Sequence, residues 1–244
     1  MASPGKVEHS ATFGRETVTP HERDRRMREI FRRLAPRYDR VCDVMTLGLH
    51  RRWRRVLERM VTLGAGQRLL DVAGGCGETA ACFAGRDRQV IVLDPSLPMM
   101  EAGRARGSGD IDWVAAVGRA LPFPDGTMDV VTITFGLRNV TFVGDTLKEA
   151  LRVLKRGGRF FTLEVSRPSS LVSPLHHAFT RYAAPWLGMR VVREADVYDF
   201  FVESVLGFPS AEEIKDLMEH IGFADVRYVR LTLGVACIHV GVKP

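Results

Sequence analysis

The chain contains no apolar run approaching the roughly 18–20 residues that a membrane-crossing helix needs, which excludes a helical membrane-spanning protein. Cysteine is scarce: Cys42, Cys76, Cys82 and Cys237 are the only four in 244 residues. They form no CxxC pair and have no His at zinc spacing, which excludes a disulfide framework and a zinc module. Lysine is scarcer than its charge class suggests, five of 35 basic residues. The positive charge is therefore mostly guanidinium, a group suited to flat anions and aromatic faces. The N-terminus, MASPGKVEHSATFGRETVTPHERDRR, lacks the apolar stretch of a secretory leader and is too acidic for a transit peptide. The expected compartment is the cytoplasm. Internal repeats and low-complexity tracts are also absent.

What is present is ordinary for a globular protein: 45% hydrophobic and 26% charged residues, enough apolar side chains for a core. The net charge of +6 is unevenly placed. Residues 1–60 carry 15 Lys+Arg against 8 Asp+Glu, and residues 61–244 carry 20 against 21. The small polar stretch 1–19 reads as disordered, and residues 20–244 as a single domain. Within that domain, residues 20–60 read as a basic helical cover. Residues 167–208, rich in Pro and aromatics, read as a helical insertion or lid.

From Pro20 the apolar residues Met27, Ile30, Phe31 and Leu34 recur at helical spacing, and the pattern predicts a helix ending near Pro36. A second helix follows Gly48. Strand and helix then alternate: strand Arg68–Ala73, turn Gly74–Gly77, helix Glu78–Ala84, strand Gln89–Asp94, helix Pro98–Arg106, strands Asp112–Ala116 and Asp129–Thr134, helix Gly144–Leu154. A turn at Lys155–Gly158 leads into strand Arg159–Glu164. The tail predicts a helix at Ala211–Ile221 and strands Ala224–Thr232 and Val235–Val242. This is an α/β fold with a mostly parallel sheet covered on both faces.

LLDVAGGCGETA is a strand, a Gly-rich turn and a helix start, a unit that brings free N–H groups close to a ligand. Asp94, ending the next strand, is placed to accept both hydroxyls of a ribose. Gly75, Gly77 and Ala80 satisfy the dinucleotide pattern G-x-G-x-x-A, so NAD competes for the site. Asp71, just ahead of the glycines, suits an α-ammonium better than a pyrophosphate. Together with the acidic start of Met128-Asp-Val-Val131 and the run Leu154-Lys-Arg-Gly-Gly158, it favours S-adenosylmethionine.

Further runs carry a resemblance: Phe31-Arg-Arg-Leu-Ala-Pro-Arg-Tyr-Asp39, Asp43-Val-Met-Thr-Leu-Gly-Leu-His-Arg-Arg-Trp53, Leu70-Asp-Val-Ala-Gly-Gly75, Leu121-Pro-Phe-Pro-Asp125, Thr132-Ile-Thr-Phe-Gly-Leu-Arg-Asn-Val-Thr141, Leu163-Glu164 and Leu231-Thr-Leu-Gly-Val235. From about Thr12 to Lys243 the chain resembles the C-methyltransferases of ubiquinone and menaquinone biosynthesis (the UbiE/MenG family), and the FGLRNVT run is the most specific part of the match. The resemblance implies a class I methyltransferase (Rossmann-like) seven-stranded sheet. It also implies transfer of the S-adenosylmethionine methyl to a ring carbon of a prenylated hydroquinone, without a metal. It places Arg138, Asn139 and Tyr38 around the ring, and Asp71, Gly74, Gly75, Cys76, Gly77, Asp94, Val117, Gly118 and Thr134 around the cofactor. His239 and His50 read as structural, and Glu203 and Tyr198 lean the same way.

Several positions depart from the family pattern. The family's Gly-Asp/Asn-Ala-Glu run, whose polar residue meets adenine, is Ala116-Val117-Gly118-Arg119, and Val117 cannot make that hydrogen bond. The usual Thr and Asp of the glycine loop are Cys76 and Glu78, and an Asn is Cys42. These swaps suggest a divergent member, one with another aromatic substrate, or a non-catalytic scaffold that binds a quinone. A prenylated substrate comes from a bilayer, so the Arg-rich residues 20–60 are candidates for contact with an anionic membrane surface. Other quinone-biosynthesis enzymes are candidate partners. No RNA-binding motif accompanies the basic segment, so nucleic acid is not an expected partner.

Overall fold

A computed structural model describes residues 12–13, 16–85, 87–107, 109–168, 182 and 195–244, with backbone alone at 12 and 195–199. Seven strands form one sheet: β1 (Arg68–Val72), β2 (Gln89–Leu93), β3 (Asp112–Val114), β4 (Met128–Thr134), β5 (Leu154–Val165), β6 (Ala224–Leu231) and β7 (Ala236–Val242). Their order is β3-β2-β1-β4-β5-β7-β6. β1 to β5 are mutually parallel, and β7 runs antiparallel between β5 and β6. The winding direction reverses between β1 and β4, and in open sheets the crevice at the carboxyl ends of such a pair is where ligands bind.

Eight helices are described: α1 (Pro20–Leu34), α2 (Tyr38–Thr46), α3 (Leu49–Met60), α4 (Glu78–Ala81), α5 (Leu97–Ala105), α6 (Val143–Val153), α7 (Ala195–Leu206) and α8 (Ala211–Ile221). Alternation along the strands sends successive side chains to opposite faces. Leu70, Val131, Ile133 and Phe160 meet Leu147 and Ala150 of α6 and Ile214 and Met218 of α8. Leu69, Val130, Phe161 and Leu163 meet Trp53 and Leu57 of α3 and Ala80 of α4. A smaller third cluster joins Met27, Ile30 and Leu34 of α1, Val41 of α2, and Phe200 and Phe201 of α7. Burying each large side chain in this cluster contributes about 1.5–3 kcal/mol, which holds α1, α2 and α7 together as one cover.

α1 begins where its sequence says it should. Thr19 Oγ1 accepts the Glu22 N–H at 3.2 Å and Pro20 fills the first helical position, where a missing N–H costs nothing. The expected stop at Pro36 holds for α1, yet α2 comes at once. Pro36 sits in the first turn of the short 3-10 segment Ala35–Arg37, a position that tolerates it. α2 ends on Leu47 (φ 50°). α4 is shorter than the predicted Glu78–Ala84. The turn predicted at Lys155–Gly158 survives as an excursion within β5: pairing jumps from Met128–Leu154 to Val130–Arg159. Within the stretch read as disordered, Thr12–Phe13 and Glu16–Thr17 pair as a short antiparallel ribbon; residues 1–11 and 14–15 lie outside the described residues. Of the expected insertion 167–208, residues 169–181 and 183–194 and the Tyr198 side chain also lie outside them. Among the described residues no helix is long and apolar enough to cross a membrane.

One close approach fixes α5 against the glycine turn. A Cβ at Gly103 would lie 2.4 Å from the Cys76 carbonyl oxygen and 2.5 Å from Trp113 Cη2. A carbonyl in a packed turn cannot retreat as a flexible side chain can. Gly103→Ala is expected to lower stability by about 1–3 kcal/mol, read as a drop in the urea midpoint at unchanged slope.

Candidate active site

The crevice at the carboxyl ends of β1, β2 and β4 opens into a cleft whose empty space, mouth included, is ≈ 900 Å³. Its floor is the turn after β1. Gly77 takes φ +72°, and a Cβ there would lie 2.7 Å from Trp113 Cη2, so only glycine permits both the turn and the packing. Two lining residues that do carry a side chain, Ala73 (φ 54°) and Phe135 (φ 53°), are also left-handed. They sit just past β1 and β4, and such strain clusters at functional sites.

Asp94 lines the cleft and braces the turn: Oδ2 accepts the Gly75 N–H at 2.9 Å and Oδ1 the Ser96 N–H at 2.8 Å. Burial pushes its pKa up to about 6, against those two hydrogen bonds. Gly74 N–H ties the turn to the Leu93 carbonyl at 3.3 Å. Asp71 is 1% exposed beneath the turn. Thr132 Oγ1 donates to its Oδ1 at 2.7 Å, while Oδ2 has no partner. Burial pushes the Asp71 carboxyl up to about 7. Cys76 faces Met99, sulfur to sulfur 3.9 Å. Burial lifts its thiol to about 11, so it packs as a small apolar group. Glu78 pairs with Arg54, and Arg106 reaches Asp39 at 2.8 Å and Glu78 at 3.5 Å. These pairs join α2, α3 and α5 to the start of α4.

On the β4 side the turn Phe135–Asn139 carries two of the expected ring-facing residues. Asn139 lines the cleft: its Nδ2 donates to the Phe135 carbonyl at 3.1 Å and its Oδ1 has no partner. Arg138 is 4% exposed and is not among the lining residues. Its Nη1 donates to Glu164 Oε1 at 2.6 Å and to the Phe135 carbonyl at 2.9 Å. Phe201 of α7 covers the guanidinium at 5.0 Å. Tyr38 lines the cleft from α2, its ring 6.2 Å from Phe31. Burial, with the Cys42 thiol beside it, holds the Tyr38 phenol well above its ordinary pKa, and the Arg138 charge opposes that rise. Val117 and Gly118 line the cleft as well, whereas the Thr134 hydroxyl is buried without a partner outside the lining.

Residues that the sequence did not single out complete the site. Arg23 of α1 is 3% exposed. It donates to the carbonyls of Asn139 at 3.1 Å and Arg138 at 3.2 Å, and to Thr141 Oγ1 at 2.9 Å. Asp24 lines the cleft and accepts from the Thr141 hydroxyl. Ser96, whose Oγ has no partner, also lines it. Nothing in a run of alternating charges distinguishes Arg23 from its solvated neighbours. Glu164 stood in a family-like run, but its partner was not visible. His50 and His239 are structural: His50 Nδ1 meets Thr46 Oγ1 at 2.7 Å, and His239 Nε2 donates to the Ala211 carbonyl at 2.9 Å. Burial lowers both to about 4.

The donor set fits S-adenosylmethionine. Asp71 offers an unpartnered buried carboxylate oxygen to an ammonium, and leaving such an atom unmet costs about 1–3 kcal/mol. Asp94 is placed at the end of β2 for a ribose. A dinucleotide would instead bring its pyrophosphate to a turn flanked by Asp71 and Glu78, like charge against like. Among the described residues no group of three or more His, Cys, Asp or Glu could hold a metal ion.

Residues 19–243 match the ubiE/COQ5 methyltransferase family. The chain is 41% identical to the ubiquinone/menaquinone biosynthesis C-methyltransferase UbiE of Rubrivivax gelatinosus, over 96% of this chain and 93% of that protein. It is 38% identical to the UbiE of a Ruegeria species, over 98% of each. Among solved structures, a SAM-dependent methyltransferase of Thermotoga maritima, described as a possible histamine N-methyltransferase, superposes with a TM-score of 0.66 at 21% identity. That match covers 89% of this chain and all of the other.

Proposed function

The chain belongs to the ubiE/COQ5 methyltransferase family, and on that premise we propose that it methylates a ring carbon of a prenylated hydroquinone on the route to ubiquinone or menaquinone. It is an S-adenosylmethionine-dependent enzyme of the class I methyltransferase fold. The observation that carries the substrate reading is the division of the cleft. Asp94 and Ser96 line one end, beside the turn that covers the buried Asp71, while Met27, Phe31, Tyr38, Phe135 and Val140 give another part an apolar, aromatic lining. That lining suits an aromatic ring and the start of a prenyl chain.

When bound, S-adenosylmethionine supplies an electrophilic methyl group. Asp71 takes its ammonium and Asp94 its ribose hydroxyls. Asn139, which lines the cleft with its Oδ1 unpartnered, accepts a hydrogen bond from a ring hydroxyl on that oxygen and so orients the ring carbon. The Tyr38 phenol, held protonated by burial, donates a hydrogen bond to the ring's second oxygen and fixes the tilt of the ring; the ring proton that the methyl replaces is released to solvent as the product leaves. Arg138 stands behind both, its charge felt at Tyr38 and its Glu164 pair fixing the turn that carries Asn139. The apolar wall and the α1–α2 cover exclude water, and the gain is mainly one of alignment.

Incubation with labelled S-adenosylmethionine and a reduced prenylated quinol tests this directly. Methyl transfer to the ring is expected. Binding of S-adenosylmethionine with no transfer to either a benzoquinol or a naphthoquinol would overturn the substrate reading. Asn139→Ala is expected to lower kcat/KM for the quinol about tenfold to a hundredfold without changing S-adenosylmethionine affinity.

The substrate's origin in a bilayer supports transient attachment of a cytoplasmic enzyme to an anionic membrane surface. Leu47 is 66% exposed at the α2–α3 corner, and Arg37, Arg40, Arg52, Arg55 and Arg59 are exposed along the same 20–60 segment.

A further inference from the structure

The apolar character of Val117 leaves the question of what reads the base of the bound nucleoside. Asp71 ends β1, Asp94 ends the adjacent β2, and β3 lies on the far side of β2. A ligand with its ammonium at Asp71 and its ribose at Asp94 therefore carries its base on toward the segment after β3, Val117–Arg119. That part of the cleft is lined by Val117, Gly118, Phe142 and two charged side chains, Arg119 and Asp24. The Arg119 guanidinium lies 4.7 Å over the Phe142 ring, and its Nη2 is 3.9 Å from Asp24 Oδ2.

We propose that Asp24, on the N-terminal helix α1, accepts the exocyclic N6–H of adenine on Oδ2 and so sets the enzyme's preference for an adenosyl ligand. The proposal rests on S-adenosylmethionine being the cofactor. Adenine N6 is a donor, and Arg119 can only donate, so of the two charged groups only Asp24 can meet it. A relay of fixed polarity leaves Oδ2 for this purpose. Arg23 Nη1 donates to Thr141 Oγ1 at 2.9 Å. With one lone pair so used, the Thr141 hydroxyl donates a hydrogen bond through its single proton to Asp24 Oδ1. Oδ2 keeps one loose neighbour, the Arg119 Nη2 at 3.9 Å, beyond hydrogen-bond reach.

The polarity of the relay gives a test that a merely structural role would not pass. In Asp24→Asn, Thr141 still donates to Oδ1, so the amide Nδ2 faces the base. It opposes adenine N6–H but matches the O6 acceptor of hypoxanthine. Calorimetric titration of the wild-type and variant proteins with S-adenosylhomocysteine and S-inosylhomocysteine reads the preference. The wild-type protein is expected to favour the adenosyl ligand about tenfold or more, and Asp24→Asn to lose or reverse that ratio. Asp24→Ala is a second variant expected to bring the ratio near unity, and adding Val117→Asn to it is expected to restore the adenosyl preference. An adenosyl-to-inosyl ratio unchanged in both Asp24 variants would overturn the proposal and assign the base to backbone groups. Wild-type protein that binds neither ligand would instead overturn the cofactor reading on which the proposal rests.

Discussion

Asp71→Asn is expected to weaken S-adenosylmethionine binding about a hundredfold and, at neutral pH, to stabilise the ligand-free protein. Both effects come from one oxygen atom. Asp71 is 1% exposed, Thr132 satisfies Oδ1, and Oδ2 has no partner until a cation arrives. A hydrogen bond to a charged group is worth about 1.5–3 kcal/mol, or roughly 10- to 150-fold in affinity. Without ligand the buried charge is a liability. Burial raises the carboxyl to about 7, above the unfolded value of about 4. Between those two pH values the folded state holds a proton that the unfolded state has released. Stability therefore falls as pH rises through that window, and the penalty is complete above it. Asn keeps an acceptor for Thr132 and carries no charge, so the variant is expected to lose most of this slope. A shallower component between about 4 and 6 remains, because Asp94 is raised to about 6 for the same reason. Urea unfolding at pH 5 and pH 8, with calorimetric titration, measures both effects. Undiminished affinity in Asp71→Asn would place the ammonium elsewhere.

Glu164→Ala is expected to cost about 3–5 kcal/mol, the largest stability loss of any single change considered. Glu164 and Arg138 are 2% and 4% exposed. The carboxylate accepts from the Arg138 guanidinium at 2.6 Å, the Val165 N–H at 2.9 Å and the Arg138 N–H at 3.2 Å. Alanine would leave a buried guanidinium with, among the described residues, the Phe135 carbonyl and the Phe201 ring. The double variant Glu164→Leu, Arg138→Met removes both charges and is expected to recover most of the loss, since an apolar pair of similar volume can replace a buried ion pair. Urea midpoints of the single and double variants decide the matter; a loss under about 1 kcal/mol in Glu164→Ala would show that the pair is dispensable to the fold.

The sheet was legible because its signals are local. Apolar runs such as Val90–Leu93, and Leu69–Val72 interrupted only by Asp71, are strands buried on both faces, and the glycines and Asp94 mark where the chain turns over a ligand. The missed helix α2 shows the limit of a local rule: Pro36 ends α1 but occupies a first-turn position in the 3-10 segment that leads into α2. Arg23, Asp24 and Glu164 were illegible for another reason. Their side-chain partners, and the backbone carbonyls that Arg23 meets, lie 26 or more positions away, and a carbonyl has no sequence signature. An amphipathic, Arg-rich helix reads as solvated whether or not one of its guanidinium groups is buried. Arg138 was found as a charged residue at the right edge, but its orientation, into Glu164 and under Phe201, depends on α7 packing that no spacing encodes.

The hydrogen bonds of Arg23 span 115, 116 and 118 positions of the chain. Contacts of such separation carry a large loop-closure cost and form late relative to local ones. During synthesis, no nascent chain shorter than 138 residues can make any of them, and none shorter than 141 can make all three. The wall that α1 contributes to the cleft is therefore complete only once the chain has been made through Thr141, so the first of the described helices to be synthesised waits for the turn after β4 before it is locked.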